Sequence, residues 1–262
     1  MSFQKELSNI KYDDIINHLD INPGDIVYIC SDITGLLLNS RKNKDNFDPK
    51  KFIDSIINKV GSKGTILFPT FNWGFCKNKR FDIQKTPSQC GALTNEALKR
   101  KDFERTQHPI YSFSVWGKDK EKLTKMDNKS SWSEDSPFGY LFREKAKNLF
   151  IGIDYKNGFT MDHYFEQKNN VEYRYHKDFK GEYVDKQKKI SSKSFSMFVR
   201  DVDKIDTTAI NPILDEILIK KNGYKKYIIN NIYFGIIYLD IAGKIIDDDI
   251  KKDRNLIFPL KN

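Results

Sequence analysis

The sequence predicts an α/β fold, and three observations carry that reading. Residues 11–69 alternate helix, strand, helix, strand, the pattern of parallel strands joined by crossing helices. A short apolar run at 149–153 then leads straight into Gly158-Phe159-Thr160-Met161-Asp162-His163-Tyr164-Phe165-Glu166, a histidine and two carboxylates within five residues. Finally, 39 % apolar and 13 % aromatic residues in 262 give enough material for one large core. No linker or internal repeat divides the chain, so one domain over residues 1–262 is expected, with the part beyond about 176 less easily parsed.

Each element has a local reason. Residues 11–19 carry apolar positions at amphipathic helical spacing, and Asn22-Pro23-Gly24-Asp25 is a turn signal. Residues 26–30 form a β-branched run that reads as a strand; Ser31-Asp32 end it, and residues 34–37 lead the chain away. Asp48-Pro49-Lys50 opens a helix in which Phe52, Ile53, Ile56, Ile57 and Val60 share a face and Gly61 closes it. Residues 64–69 are a second buried strand. Ligands gather at the carboxyl ends of such strands, here Cys30-Ser31-Asp32 and Thr70-Phe71-Asn72-Trp73. Residues 74–90 are polar and turn-rich and read as a loop. A short helix follows at 93–100 with Thr94 as its cap, and then a strand at 111–116. Ser136-Pro137-Phe138-Gly139 starts a helix that runs to 144. A strand is expected at 195–199, and a helix at 213–218 with Asn211 as cap and Pro212 in first position. Residues 224–247 hold two or three strands or a strand and a helix.

Composition excludes several classes. Three cysteines, Cys30, Cys76 and Cys90, lack CxxC spacing, which removes a structural zinc site or disulfide framework. No run approaches the roughly 20 apolar residues of a bilayer span, and the N-terminus lacks a secretory apolar core, so a cytoplasmic protein is expected. A net charge of +9 permits a non-catalytic nucleic-acid binder, but lysine-rich composition gives the same number and no block interleaves bases with stacking aromatics. There is no GxxxxGK[ST], no GxGxxG after a strand and no GxSxG.

The chemistry-bearing residues fall into three clusters. If the segment at 160–168 is helical, His163 and Glu166 lie on one face, and a carboxylate beside an imidazole fixes its tautomer and stabilises its cation. Either Glu166 or Asp162 fits that part. The same pattern also suits a structural histidine, or a metal site if His108 joins His163 and Glu166. His108-Pro109, with Arg105 before it and Ser112 after it, is a second polar cluster. Cys30 at a strand end is read as a small core residue rather than a nucleophile.

In order, these pieces resemble the aminoglycoside 3-N-acetyltransferase, or antibiotic N-acetyltransferase, family. The matching pieces are Gly24-Asp25-Ile26-Val27 with Ser31, Gly61-Ser62-Lys63-Gly64-Thr65 with Pro69-Thr70-Phe71, and Phe81-Asp82 with Thr86-Pro87-Ser88 and Gly91. Arg105 to Ser112, Ser136-Pro137-Phe138-Gly139, and Thr160 with His163 and Glu166 complete the series across residues 22–175. The resemblance implies a mixed sheet with helices on both faces, distinct from the smaller GNAT fold. It implies acyl transfer from an acyl-coenzyme A such as acetyl-coenzyme A to an amine, without a metal. His163 is then the general base, with Glu166 or Asp162 orienting it. Ser31, Asp32, His108 and Ser112 line the coenzyme side, and Thr70, Asn72 and Trp73 face the acceptor. Partners are the coenzyme thioester and an amino sugar, with no nucleic acid and no membrane insertion, and a homodimer is an allowed assembly. Two departures bear on the substrate. Cys30 stands where the family often has histidine. The loop after Pro69 carries Lys77, Lys79 and Arg80 and no carboxylate up to Arg80, which favours a nucleotide-linked amino sugar of surface-glycan synthesis over a polycationic aminoglycoside.

Overall fold

A computed structural model describes residues 5–204 and 213–252 of the chain. In chain order, the first half runs β1 (Lys5–Leu7), β2 (Ile26–Ser31), α1 (Thr34–Lys42), α2 (Pro49–Val60), β3 (Thr65–Pro69), β4 (Phe81–Asp82), α3 (Ala92–Lys99), β5 (Glu104–Arg105), β6 (Phe113–Gly117) and α4 (Lys120–Thr124). The second half runs α5 (Pro137–Arg143), β7 (Lys147–Ile151), α6 (Tyr155–Gly158), α7 (Met161–Lys168), β8 (Arg174–Val184), β9 (Ile190–Arg200), α8 (Ile213–Lys220), β10 (Tyr224–Ile229), β11 (Ile232–Tyr238) and α9 (Leu239–Lys251).

Eight strands form one mixed sheet in the order β1-β10-β11-β7-β2-β3-β6-β5. β2 lies parallel to β3 on one side and to β7 on the other, while β6 and β11 close the parallel centre with antiparallel neighbours. Side chains alternate across this sheet with the period of two that a strand imposes. Val27 and Ile29 of β2 join Ile66, Phe68, Leu149 and Ile151 under α1, α2 and α3. Tyr28 and Cys30 point the other way, into a second core with Phe113 and Phe150 under α5, α7, α8 and α9. Helices therefore cover both faces, as expected. A smaller sheet, β4-β8-β9, holds a long hairpin whose strands pair from Arg174↔Arg200 to Val184↔Ile190.

Several local expectations hold. Asp48 caps α2 by accepting a hydrogen bond from Lys50 N–H, and Gly61 at φ 68° ends the helix. Ser136 caps α5, accepting from Gly139 N–H. Others need correction. Residues 34–42 form a full helix, α1, rather than a connection. Residues 11–19 form only a 3₁₀ turn at Ile15–His18. Thr94 is not a cap: α3 begins at Ala92 after Gly91, so Thr94 sits buried within the first turn. The strand expected at 195–199 is the buried end of the longer β9. The helix at 213–220 is present, but Asn211 and Pro212 lie outside the described residues. Residues 224–247 resolve into β10, β11 and the start of α9. Among the described residues no helix is long and apolar enough to cross a membrane.

Candidate active site

Because β2, β3 and β7 are parallel, their carboxyl ends Ser31, Pro69 and Ile151 reach the same edge of the sheet. The chain also reverses its order there, since β2 is followed in sequence by β3 on one side and much later by β7 on the other. Such a switch point opens a crevice. A cleft of about 630 Å³ lies at it, lined by Ser31, Asp32, Thr34 and Leu37 from the end of β2 and α1. Phe71, Trp73, Gln89, Gly91 and Tyr111 add a further wall, and Gly158, Thr160 and His163 come from the segment after β7.

Helix α7 presents His163 to this cleft because Met161, Phe165 and Tyr164 are buried in the core while the histidine keeps 17 % of its side chain exposed. Glu166, one turn on and fully buried, places Oε2 3.0 Å from His163 Nδ1. Asp162 Oδ1 is 3.1 Å from the same nitrogen, but that oxygen also accepts the His163 backbone N–H at 2.8 Å. Arg174, at the start of β8, completes the group. Its Nη2 is 2.6 Å from Glu166 Oε2 and 2.9 Å from His163 Nδ1, and its Nη1 donates to the Phe198 carbonyl of β9 at 2.9 Å. Trp132 stands edge-on to the imidazole, with ring centroids 4.8 Å apart. Among the described residues no protein group hydrogen-bonds His163 Nε2.

The electrostatics follow from burial. Loss of water, with Arg174 and Arg200 nearby, lowers the His163 imidazole to about 3, although Asp162 pulls the other way. The ring is therefore neutral at physiological pH. Burial raises the Asp162 and Glu166 carboxyls from their ordinary values, and Arg174 opposes that rise at Glu166. At 2.6 Å from a guanidinium that is itself buried, Glu166 is one half of an ion pair. Asp162, His163 and Glu166 offer three ligand atoms within 4.8 Å, the spacing of a metal site. Arg174 already supplies the positive charge among them, and His108 does not join them. The metal site expected from His163, Glu166 and His108 is therefore not the set of residues brought together.

Of the residues expected at the site, Ser31, Asp32, Trp73 and His163 line the cleft, with Glu166 and Asp162 directly behind the histidine. Thr70, Ser112 and His108 do not line it; all three are buried behind its wall. Ser112 Oγ accepts from Arg105 Nε at 2.9 Å, and the Arg105 Nη2 donates to the Thr70 carbonyl at 2.6 Å. This buried clamp ties the end of β3 to the start of β6 and to the Thr86 carbonyl. His108 Nδ1 accepts from the Ile110 and Tyr111 N–H groups at 3.3 and 3.2 Å, and burial lowers its ring to about 3. Its work is to fold the chain that presents Tyr111. Asn72 also stays off the cleft surface, holding the loop through the Pro87 carbonyl and the Gly74 N–H. Cys30 lines the cleft, but burial pushes its thiol up to about 12 and it donates to the Gly158 carbonyl, as a core cysteine does. Tyr111, Trp132 and Arg174 were not singled out from the sequence. The only available signal for the first two was their place beside the His108 and Ser136 motifs.

Comparison with known proteins bears on the family and the fold. A family model described as aminoglycoside 3-N-acetyltransferase matches residues 43–224. No curated protein sequence matches the chain. Among solved structures, AAC-IIIb in binary complex with CoASH superposes with a TM-score of 0.75 at 15 % identity, covering 95 % of this chain and 97 % of that one. AAC-VIa bound to sisomicin gives 0.72 at 16 % identity, covering 92 % and 96 %. The YokD protein of Bacillus subtilis gives 0.71 at 18 % identity, covering 92 % and 97 %. With well over half its length matched by that model, the chain belongs to the aminoglycoside 3-N-acetyltransferase family.

Proposed function

We propose that this chain moves an acetyl group from acetyl-coenzyme A to an amine of an aminoglycoside-type amino sugar, with His163 as general base. The carrying observation is the His163–Glu166 pair, bonded through Nδ1 at 3.0 Å, while the ring lines the cleft and, among the described residues, its Nε2 has no hydrogen-bond partner. An ammonium group is not a nucleophile, so a base must take its proton at or before attack. The extra proton of the ammonium goes to solvent, and Nε2 of a neutral imidazole accepts one of the remaining amine protons as the nitrogen bonds to the thioester carbon. The carbon–sulfur bond then breaks, and the proton leaves His163 for the departing thiolate. Solved relatives bound to CoASH and to sisomicin support both halves of the reading.

The cleft also bears on the acceptor. Among the described residues Asp32 is its only carboxylate and no lysine or arginine lines it. Lys77, Lys79 and Arg80, which favoured a nucleotide-linked sugar from sequence, lie off the cleft, and Arg80 is paired with Glu182 at 2.8 Å. The argument against a cationic acceptor therefore falls away, and Asp32 with the faces of Trp73 and Tyr111 suits an amine-bearing ring.

A thiol-release assay with acetyl-coenzyme A tests this reading against sisomicin, a simple amino sugar and a nucleotide-linked amino sugar. Turnover is expected with the first, and turnover confined to the nucleotide-linked sugar would refute the acceptor assignment. His163→Ala should lower kcat by about two to four orders of magnitude; a variant that keeps its rate removes the base assignment.

A further inference from the structure

The Arg174 guanidinium has more to do than join a hairpin to a helix. Its side chain is 2 % exposed, and one nitrogen, Nη2, lies within reach of both Glu166 Oε2 and His163 Nδ1, at 2.6 and 2.9 Å. The hydrogens in this cluster have two arrangements. In one, Nδ1 carries the proton and donates it to Glu166, so Nε2 presents a lone pair to the cleft. In the other, Arg174 donates to an unprotonated Nδ1, Nε2 carries the hydrogen, and His163 is no base. Glu166 decides between them. While it is anionic, both its neighbours donate to it, and the Nδ1–H form satisfies the buried carboxylate twice. Deep burial works against that charge, and Arg174, ion-paired at 2.6 Å, is the contacting cation that offsets it, with a Tyr173 hydrogen bond acting the same way.

We propose that Arg174 is a positioning residue: by holding Glu166 ionised it keeps the proton on His163 Nδ1, and by its own charge it opposes a second cation on the ring. This deepens the reading of His163 as base and rests on it. The charged and titratable groups facing the cluster are Asp162 and Glu166 on α7, Arg174 on β8, Tyr173 just before it, Arg200 on β9 and Tyr111 from the cleft wall. Arg174 touches both the imidazole and its carboxylate through one nitrogen. The Arg174 Nη1 bond to the Phe198 carbonyl fixes the plane of the fork, which a lysine cannot reproduce.

Histidine ¹⁵N spectra of the wild-type protein test the tautomer directly. A neutral His163 with its hydrogen on Nδ1 is expected, and an Nε2–H form overturns the proposal. Arg174→Gln should lower kcat about ten- to a hundredfold, the usual scale for losing a partner that orients a working histidine. The KM for acetyl-coenzyme A should stay within about twofold, because Arg174 does not line the cleft. A histidine limb absent from the wild type should appear in the kcat profile between about pH 5 and 7, and Arg174→Lys should keep the wild-type profile. A folded Arg174→Gln with wild-type kcat and profile refutes the inference. So does an equal loss in both variants with unmoved profiles, which is what a mere hairpin anchor gives. Should Arg174→Gln fail to fold, the spectrum of Arg174→Lys decides, with an Nε2–H form again fatal. An active His163→Ala defeats the base reading itself, whereas an inactive one beside an unaffected Arg174→Gln defeats this inference alone.

Discussion

At the scale of residues, the two carboxylates near His163 are separated by what else they hold. Asp162 Oδ1 is engaged by the backbone N–H of His163, so it works chiefly within its own turn. Glu166 Oε2 faces the imidazole and Arg174. On the proposed mechanism the choice left open by sequence falls to Glu166. Glu166→Gln should lower kcat about ten- to a hundredfold and, by leaving Arg174 buried without its partner, cost about 3–5 kcal/mol of stability. Asp162→Asn keeps a carbonyl oxygen for the same N–H and should stay within about fivefold in kcat. Steady-state rates and denaturant unfolding of both variants check the pair, and a larger loss in Asp162→Asn would reverse the assignment. The pH dependence follows from the lowered imidazole. With His163 held near 3, the base form is complete above about pH 5, so no histidine limb near 6.5 should appear in kcat. The rise of kcat/KM with pH should track the acceptor amine instead, and change when the acceptor is changed. His163 and Glu166 were legible in the chain because a three-residue spacing on a short helix is a local fact. Arg174 was not, because only the pairing of β8 with β9 brings it beneath α7.

At the scale of elements, legibility followed burial pattern. α2 was readable because its apolar residues keep one face and both its ends carry specific capping residues. α1 was not, since Leu36, Leu37 and Leu38 run contiguously and only Leu36 is fully buried among them. The hairpin of β8 and β9 was readable only at 195–199. Residues 175–182 of β8 are exposed or half-exposed on both faces, so no alternation marks them, whereas Phe195, Met197 and Phe198 pack into the core. The turn after β7 shows an element boundary set by contact rather than pattern. Gly152 has φ 67°, and a Cβ there would stand 2.0 Å from the Asp32 carbonyl oxygen, while its N–H donates to Tyr233. The ends of β2 and β7 can approach only because this residue has no side chain. Gly152→Ala should cost about 1–3 kcal/mol from the backbone conformation alone and displace Asp32 at the mouth of the cleft. Chemical denaturation, with KM for the acceptor measured beside it, tests this; an alanine variant of wild-type stability would show that the two strand ends can part without cost.

At the scale of the whole molecule, the fold class was legible because alternating helices and strands admit few topologies, and three parallel strands with their carboxyl ends together put the cleft at one edge. What the chain could not reveal was which polar clusters face that edge. His108 and Ser112 carry the chemistry of a site, yet they lie behind the wall, His108 accepting from the buried Ile110 and Tyr111 N–H groups and Ser112 joined to Arg105 and the Thr70 carbonyl. Their placement has a global consequence. His108 is 1 % exposed and its ring is lowered to about 3, against about 6.5 in an unfolded chain. Between those values the unfolded state binds the proton that the folded state refuses, so stability rises with pH across the window and is lost as pH falls from about 6.5 towards 3. The slope from this one group is about 1.4 kcal/mol per pH unit. His163 adds a slope of the same sign, while the raised carboxyls of Asp162 and Glu166 act in the opposite direction. Comparing wild type with His108→Gln cancels those shared contributions. The variant should be less stable at neutral pH, because glutamine cannot reproduce the ring's packing against Phe195. The gap should then narrow steadily on acidification, because only the wild type has an unfolded state stabilised by protonation of His108. Denaturant unfolding of both proteins at pH 7, 6 and 5 measures the gap, and parallel curves would mean that His108 is protonated in the folded protein at no cost.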